Sequence, residues 1–441
     1  MKTSSIQIRI YRDVEDLEPL LPAWEDLVAH YPQASSFSTW RWLVSWWRAF
    51  GEDRELLVLA FHDETSRLIA LAPLSIRNER VLPVVKLRVL RLLGDGSGDS
   101  DNLDFPVRVG CEDVFAATFL NYLKSRAKDW DLCEMNTLPS HSPAGKALAK
   151  HLKEGRWVSY VHPRAWSVVD LPDTWEEYLK KLSAKERGKV GYYSRRLEKK
   201  YRVRFYKCTE EACLPQCLDI LFKLHHERWR QAGEAGSFSS AARRQFYLEM
   251  GREFLRRGWL EFFLLDINGT PVAAQFGFRY DTTVFALQEG RDPAYSLDAV
   301  GYVLRARALK EFIADGLRRY DFLAGDDEYK ARWGTCVGKY LDIHFARPLT
   351  RGSVYLRSVH RRTAGKEWLR AKLPQTVWSV LHQINTRVRL NRAPGKLLRQ
   401  RSKIVATSEG LPRPLRGQPL LRRMRVDRGV RRGEASLASK K

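Results

Sequence analysis

Cysteine is scarce in this sequence, and long apolar runs are missing. Six cysteines in 441 residues are too few for a disulfide framework and indicate a reducing compartment. No stretch approaches the ~18–20 uninterrupted apolar residues of a membrane span. Residues 1–10 alternate polar and apolar side chains instead of forming the apolar core of a signal peptide. The sequence therefore predicts a cytoplasmic protein, with a peripheral position at the inner membrane as the alternative.

Metal-ligand patterns are also lacking. Cys208, Cys213 and Cys217 are close in sequence, but no fourth ligand follows at zinc-site spacing, so we interpret them as ordinary thiols. The Gly94–Asp101 loop is rich in glycine and aspartate but lacks the terminal glutamate of a calcium loop. We therefore predict no metal, and we interpret this acidic loop as a candidate wall of an acceptor cleft.

The positive charge is concentrated at the C-terminal end. The whole chain carries a net charge of +24, of which residues 351–441 hold +20, with 24 Lys and Arg against 4 Asp and Glu. Arginines could neutralise phosphates of RNA or of anionic lipids, and interleaved apolar residues such as Trp368 and Trp378 favour a membrane surface. We predict a basic tail over 351–441, partly helical and then disordered.

One order of elements, comprising helix, hairpin, strand, helix and strand, occurs twice. The first copy has a helix at 37–50, strands at 56–61, 68–76, 86–93, 103–107 and 131–135, and a helix near 112–127. The second has helices at 175–201, 214–230 and 241–257, a hairpin at 259–280, a strand at 284–289, a helix at 299–315 and a strand at 319–323. This repetition predicts an internal duplication, with domains at 1–165 and 166–350.

Six segments carry a resemblance to a known family. They are Phe37–Phe50, Ile69–Leu74, Leu182–Arg187, Arg195–Glu198, Gly316–Gly325 and Tyr329–Gly334. Together they resemble the CelD-type acetyltransferases of cellulose biosynthesis, which are GNAT-like relatives of the FemAB peptidyltransferases. The resemblance covers about residues 5–346. It implies an α/β (α+β) fold of two tandem GNAT-like domains, each a mixed, mostly antiparallel sheet flanked by helices.

The resemblance also implies a reaction centre. In FemAB-type enzymes an aromatic-Lys-x-x-aromatic-Gly motif supplies a lysine to that centre, and Tyr329–Gly334 matches the motif. Lys330 is therefore the implied catalytic residue. We predict that Tyr329 and Trp333, the two aromatic residues of the motif, bind substrate.

Acidic side chains accompany this lysine at the end of a predicted buried strand. Acyl transfer to an amine needs a base for the amine proton and a donor for the oxyanion. We predict Asp321 as a catalytic residue, and Asp326 and Asp327 as substrate-binding residues. The alternative is a solvated acidic turn in which Lys330 forms a surface ion pair.

Further candidates come from the neighbouring elements. The resemblance implies that the strand ending at Gln288 and Glu289 faces the acceptor, and we predict that Gln288 binds substrate and that Glu289 acts as a base or an amine ligand. A buried structural glutamate is the alternative. Arg187 and Arg195 could hold a phosphorylated acceptor such as a nucleotide sugar, or could belong to a solvated basic helix.

The acyl donor is the least defined feature. GNAT enzymes hold the donor pyrophosphate on a glycine-rich turn before a central helix. The equivalent stretch here, 296–302, contains one glycine, Gly301, which is the candidate cofactor-binding residue. Acyl-CoA, in the form of acetyl-CoA, is the co-substrate that the resemblance implies.

The predicted function is that of an N-acyltransferase. It would move an acyl group from acyl-CoA to an amine of an amino sugar or another envelope-polysaccharide precursor. One alternative is a FemAB-like aminoacyl transfer from aminoacyl-tRNA. The other is a non-catalytic component of a polysaccharide assembly system that docks on a membrane or nucleic acid through residues 351–441.

Overall fold

The computed structural model describes residues 6–231 and 236–372. The first half of the chain contributes six strands and four helices. The strands are β1 (Gln7–Tyr11), β2 (Arg54–His62), β3 (Leu68–Leu82), β4 (Val85–Leu92), β5 (Leu132–Pro139) and β6 (Val158–Asp170). The helices are α1 (Leu21–Ala29), α2 (Trp40–Phe50), α3 (Glu112–Ser125) and α4 (Pro143–Glu154).

The second half contributes six further strands. They are β7 (Val203–Lys207), β8 (Leu260–Ile267), β9 (Thr270–Tyr280), β10 (Thr283–Arg291), β11 (Arg319–Ala324) and β12 (Cys336–Ala346). Its helices are α5 (Trp175–Lys181), α6 (Ala184–Lys200), α7 (Leu214–Gln231), α8 (Ala241–Arg256), α9 (Val300–Ala314), α10 (Glu328–Ala331) and α11 (Arg351–Lys372).

The described strands form one 12-stranded sheet in the order β1-β2-β3-β4-β5-β12-β6-β11-β10-β9-β8-β7. Each strand of the first half has a counterpart six strands later in the chain, so that β1–β5 correspond to β7–β11 and β6 corresponds to β12. The two halves of the sheet therefore have the same strand order when each is followed inward from its own edge. The central strands are exchanged: β6 pairs with β11, and β12 pairs with β5. Each half of the chain thus completes the sheet of the other half.

Parallel pairing occurs at two places in this sheet, and both pairings are short. β10 and β11 pair only over Thr283–Phe285 and Arg319–Asp321, and β4 and β5 pair over Val89–Arg91 and Leu132–Glu134. Beyond these three residues the strands of each pair separate. A cleft opens where β10 and β11 part.

A shared aromatic core joins the two halves. Phe37, which precedes α2, lies 5.6 Å from Phe278 and 5.5 Å from Phe285 between ring centroids. Trp42 of α2 packs against Phe246 of α8. Such aromatic contacts bury large apolar areas, so the two halves stabilise each other.

Most predicted elements are present, and their ends follow from local chemistry. Thr39 caps the N-terminus of α2 by accepting a hydrogen bond from the Trp42 amide. The β8–β9 hairpin turns at Asn268 and Gly269, which both have positive φ, as a two-residue turn requires.

Two expectations about these elements were wrong. Residues 103–107 form no strand, because only Val107 makes an isolated bridge, to Ala70. The predicted helix 175–201 is two helices, since Leu182 is extended and Ser183 caps α6 through the Glu186 amide.

The predicted fold class is confirmed by this mixed, mostly antiparallel sheet flanked by helices. The chain divides into a compact unit at residues 1–364 and a second unit at 365–441, whose described residues end at 372 within α11. The domain boundary near residue 165 stays a prediction. Most of the basic tail, including Trp378, lies outside the described residues. Among the described helices, none is long and apolar enough to cross a membrane.

Candidate active site

Two cavities occupy the cleft where β10 and β11 separate. They measure about 280 Å³ and about 300 Å³. Arg228, Glu289, Arg305 and Tyr329 line both cavities and therefore mark where the two meet. We call the first the arginine cavity and the second the carboxylate cavity.

The backbone of β10 shapes this cleft. The register of β10 against β9 shifts between Ala286 and Gln288, which is a β-bulge. At Gly290, a Cβ atom would lie only 2.7 Å from the His225 amide nitrogen. Only glycine allows α7 to approach β10 this closely, and the approach brings His225 and Arg228 of α7 to the cavity walls.

The carboxylate cavity has a wall from the first half of the chain. The loop after β4 crosses to it and presents Asp101. Several side chains hold this loop: Trp46 and Trp42 donate to the hydroxyls of Ser97 and Ser100, and Tyr247 donates to Asp99. The loop is therefore a fixed part of the site.

Asp101 and Asp321 form a pair of carboxylates at the end of β11. Asp101 accepts a hydrogen bond of 3.0 Å from the Ala324 amide, and Asp321 accepts one of 2.7 Å from the Leu323 amide. Burial raises the pKa of Asp101 to about 6 and that of Asp321 to about 7, and the neighbouring Asp101 contributes to the latter shift. Asp101 lines the cavity, whereas Asp321 is buried and is not part of the lining. The pair can accept a proton near neutral pH.

Lys330 of α10 lies beneath the same strand end. Its side chain is 3% exposed, and Nζ lies 2.5–3.3 Å from the carbonyl oxygens of Phe322, Leu323, Ala324 and Gly325. Burial lowers the pKa of Lys330, while Asp327, Asp101 and Asp321 oppose this shift. The alternative of a surface ion pair is wrong, because this lysine is buried and holds the turn after β11.

The arginine cavity carries excess positive charge. Arg228, Arg291, Arg305 and Arg332 line it, and Glu289 is the one acidic residue in its lining. Glu289 is ion-paired with Arg305, which also lies within 5.1–5.7 Å of the ring centroids of Phe322, Tyr329 and Trp333. Burial, followed by repulsion from Arg228, lowers the pKa of Arg291. The cavity is therefore suited to an anion.

The N-terminus of α9 opens into this cavity at Gly301. The residue before the helix, Ala299, has no capping side chain, so the first amides of α9 have no side-chain acceptor. Gln275, also in the lining, has a buried Oε1 without a hydrogen-bond partner in the described part of the chain. Helix amides with clustered guanidinium groups form a phosphate-binding arrangement.

Residues 184–331 match the family model described as an acetyltransferase (GNAT) domain. This segment of the chain is a GNAT-like acyltransferase domain. Among solved structures, the fold is similar to that of FemX, at 11% identity and a TM-score of 0.52, over 76% of this chain and 96% of that one. No curated protein matches the sequence.

Two further solved structures are similar at lower TM-scores. A tandem GNAT protein from the clavulanic acid biosynthesis pathway has 12% identity and a TM-score of 0.43, over 78% of this chain and 98% of that one. The C-terminal domain of a putative lysylphosphatidylglycerol synthetase from Agrobacterium fabrum has 10% identity and a TM-score of 0.46, over 77% and 95%.

The fold brings most of the predicted site residues to one cleft. Gln288, Asp327, Tyr329 and Lys330 line the carboxylate cavity, and Gly301 and Trp333 line the arginine cavity. Trp333 is 1% exposed and packs on Tyr302 at 4.4 Å, so it is also part of the core.

Three predicted residues lie elsewhere. Asp326 is exposed and lines neither cavity. Arg187 and Arg195 are exposed on α6, where Arg195 borders a separate surface groove with Tyr192 and Lys199. A role of these arginines in binding a phosphorylated acceptor stays a prediction.

Sequence reasoning missed the four arginines. Arg305 lies between apolar residues of α9. A charged residue within such a buried run indicates a functional position and could have been identified from the sequence. Arg291 is the last residue of β10, at the strand end where ligands usually bind. Arg228 gave no such indication, because it belongs to a charged helix whose sequence resembles that of any solvent-exposed helix.

Proposed function

We propose that this acyltransferase moves an acyl group from acyl-CoA to a primary amine of an amino sugar or a related envelope-polysaccharide precursor. One observation carries the proposal: a cationic cavity and a cavity lined by a carboxylate of raised pKa meet at Arg305 and Tyr329. A donor with phosphates and an acceptor with an amino group require this division of charge.

The donor phosphates would bind in the arginine cavity. Arg291 and Arg332 supply guanidinium donors there, and the first amides of α9 at Gly301 supply backbone donors. The ion pair with Glu289 restrains the Arg305 guanidinium at the junction of the two cavities. The acyl carbon would then lie at the junction.

The acceptor amine would enter the carboxylate cavity. Asp101 and Asp327 attract its ammonium form, and Asp101 takes the proton, so that the free nitrogen can attack the acyl carbon. A C–N bond forms and the C–S bond of the thioester breaks. Tyr329 lines both cavities and is placed to give a proton to the departing thiolate and to regain one from the nitrogen, which loses its second proton as the amide forms.

Lys330 has a positioning role in this scheme. Its ammonium binds the carbonyls of the turn after β11 and so fixes the Ala324 amide that holds Asp101. Its positive charge also favours the ionised form of Asp101. Lys330 thereby keeps the base in place.

The test is to incubate the protein with acetyl-CoA and, separately, with an aminoacyl-tRNA, and to follow binding and acyl transfer to glucosamine by calorimetry and mass spectrometry. We expect acetyl-CoA to bind and Arg291→Gln to weaken binding about tenfold or more, because a charge-assisted contact to phosphate is lost. Arg80→Gln, at an exposed hairpin position, is the matched control. Transfer from aminoacyl-tRNA without acetyl-CoA binding would overturn the proposed donor.

A further inference from the structure

A second groove lies apart from the transfer cleft, and no residue in its lining also lines either cavity of the cleft. It consists of a hollow of about 210 Å³ between α1, the start of α2 and the end of β9, and a hollow of about 330 Å³ between α2 and α8. Trp40 and Arg41 line both hollows, which are therefore continuous. We call it the α2–α8 groove.

The first hollow is aromatic. Trp24 and Trp40 form one edge-to-face pair, with centroids 5.5 Å apart, and Trp259 and Tyr280 form another at 5.3 Å. Trp40, Trp259 and Tyr280 are partly exposed, so ring surface remains open to a ligand. Aromatic side chains with an apolar body and a polar edge suit a ligand that has apolar faces and polar edges.

The charged groups of this hollow are paired with one another. Arg41 and Arg257 line it together with Glu25, which lies 3.2 Å from Arg41 and 4.0 Å from Arg257, and Arg41 is also paired with Glu253. Because the guanidinium and carboxylate groups already neutralise one another, the hollow favours an uncharged polar ligand over an ion. A ring that is uncharged, with hydroxyl groups at its edge, matches both features.

The second hollow supplies hydrogen-bonding groups. It is lined by Arg48, Glu249, Arg252 and Arg256. Glu249 Oε2 and Arg252 Nε are buried and have no hydrogen-bond partner in the described ranges, although Arg252 Nε lies 3.7 Å from a Glu211 oxygen. A buried acceptor and a buried donor without partners cost free energy, which ligand hydroxyl groups could recover.

We propose that the α2–α8 groove binds an oligosaccharide. One pyranose ring stacks on Trp40, Trp259 or Tyr280 in the aromatic hollow, and the next rings donate to Glu249 and accept from Arg252. Pyranose rings have apolar C–H faces and hydroxyl edges, which is the combination that the groove presents. The groove would hold a glycan chain independently of the chemistry in the cleft.

Calorimetry and saturation-transfer NMR on the full chain test this with three defined probes: β-1,4-linked hexamers of glucose, of N-acetylglucosamine and of a uronic acid. We expect at least one hexamer to bind. Binding of only the uronic acid hexamer would place the recognition on the arginines and overturn the stacking on a neutral ring.

Two variants distinguish a loss of glycan binding from unfolding and from a loss of acyl transfer. Arg252→Gln and Trp40→Phe should each weaken hexamer binding about tenfold, through a lost hydrogen bond and a smaller stacking surface. Arg80→Gln is the matched control, and acyl transfer to free glucosamine should be unchanged in all three. No binding of any hexamer, or binding that both groove variants leave intact, would overturn the proposal.

A failure of glycan binding in the α2–α8 groove can be distinguished from a failure of the proposed acyltransferase function. Loss of acetyl-CoA binding would leave hexamer binding unaffected, because the groove shares no lining residue with the cleft. Competition between glucosamine and the hexamer for one site would overturn the separate groove.

Discussion

The carboxylate of Asp101 accepts a 3.0 Å hydrogen bond from the backbone amide of Ala324, 223 positions further along the chain. This contact joins the loop after β4 to the end of β11. The carboxylate cavity is therefore assembled from both halves of the chain. A fragment restricted to 184–331, the segment that matches the family model, would lack this wall.

Replacing Asp101 should remove the base. We expect Asp101→Asn to lower kcat by about 10²–10⁴-fold, the usual contribution of general acid–base catalysis, while acetyl-CoA still binds. Steady-state kinetics and calorimetry provide the two measurements. Asp95→Asn is the control, because Asp95 lies in the same loop, hydrogen-bonds to Asn136 and does not line the cavity. Equal losses in both variants would assign the effect to the loop instead of the base.

The rate of transfer should depend on pH near neutrality. The pKa values of Asp101 and Asp321 are raised to about 6 and about 7, and the base must be ionised to take a proton. We expect kcat/KM to fall as the pH decreases through this window, with apparent pKa values that belong to the pair. A pH–rate profile of Asp321→Asn should keep only an acidic limb near pH 6, because Asp101 then titrates without a second carboxyl group beside it. A further limb that persists near pH 7 would separate Asp321 from the pair.

Asp321 should also make stability fall with rising pH. Its pKa is about 7 in the folded protein, against about 3.9 in an unfolded chain, so between these values the folded state binds the extra proton. The free energy of unfolding therefore decreases as the pH rises through this window. Asp321→Asn removes this contribution, so its Tm relative to the wild type should rise between pH 4.5 and pH 8. A constant difference in Tm would contradict the assignment.

Lys330 should be required for transfer but not for the fold. Lys330→Ala removes the ammonium that binds four carbonyls between Phe322 and Gly325, and we expect transfer to be abolished with acetyl-CoA binding retained. Hydrogen exchange should increase at the Ala324 amide, because the turn after β11 loses its cation. Lys339→Ala, on β12, is the control. Unchanged turnover would remove Lys330 from the mechanism.

Local sequence patterns were sufficient to predict many of the elements in the second half of the chain. The β8–β9 hairpin follows from the Asn268–Gly269 turn and its alternating flanks, and β11 from an apolar run between Gly316 and Gly325. Lys330 was predicted from the aromatic-Lys-x-x-aromatic-Gly motif, and Asp321 from its place in that strand. Each of these features depends on residues close in sequence, where turn chemistry and hydrophobic periodicity act directly.

Other features depended on contacts between distant segments. β6 and β12 were not predicted, because their role in the sheet comes from pairing across the two halves. Asp101 was visible only as part of an acidic loop, and no local signal places that loop against Ala324.

The sequence by itself determined the GNAT-like signature, the duplicated order of elements and the basic tail, because these are properties of residue type and spacing. Only the tertiary structure decided which charges converge. It pairs Glu289 with Arg305, brings Arg228 and Arg291 together, and turns Lys330 inward onto four carbonyls. The physical reason is that burial and the distance between charged groups set their pKa values, and both arise from the packing of segments far apart in the chain.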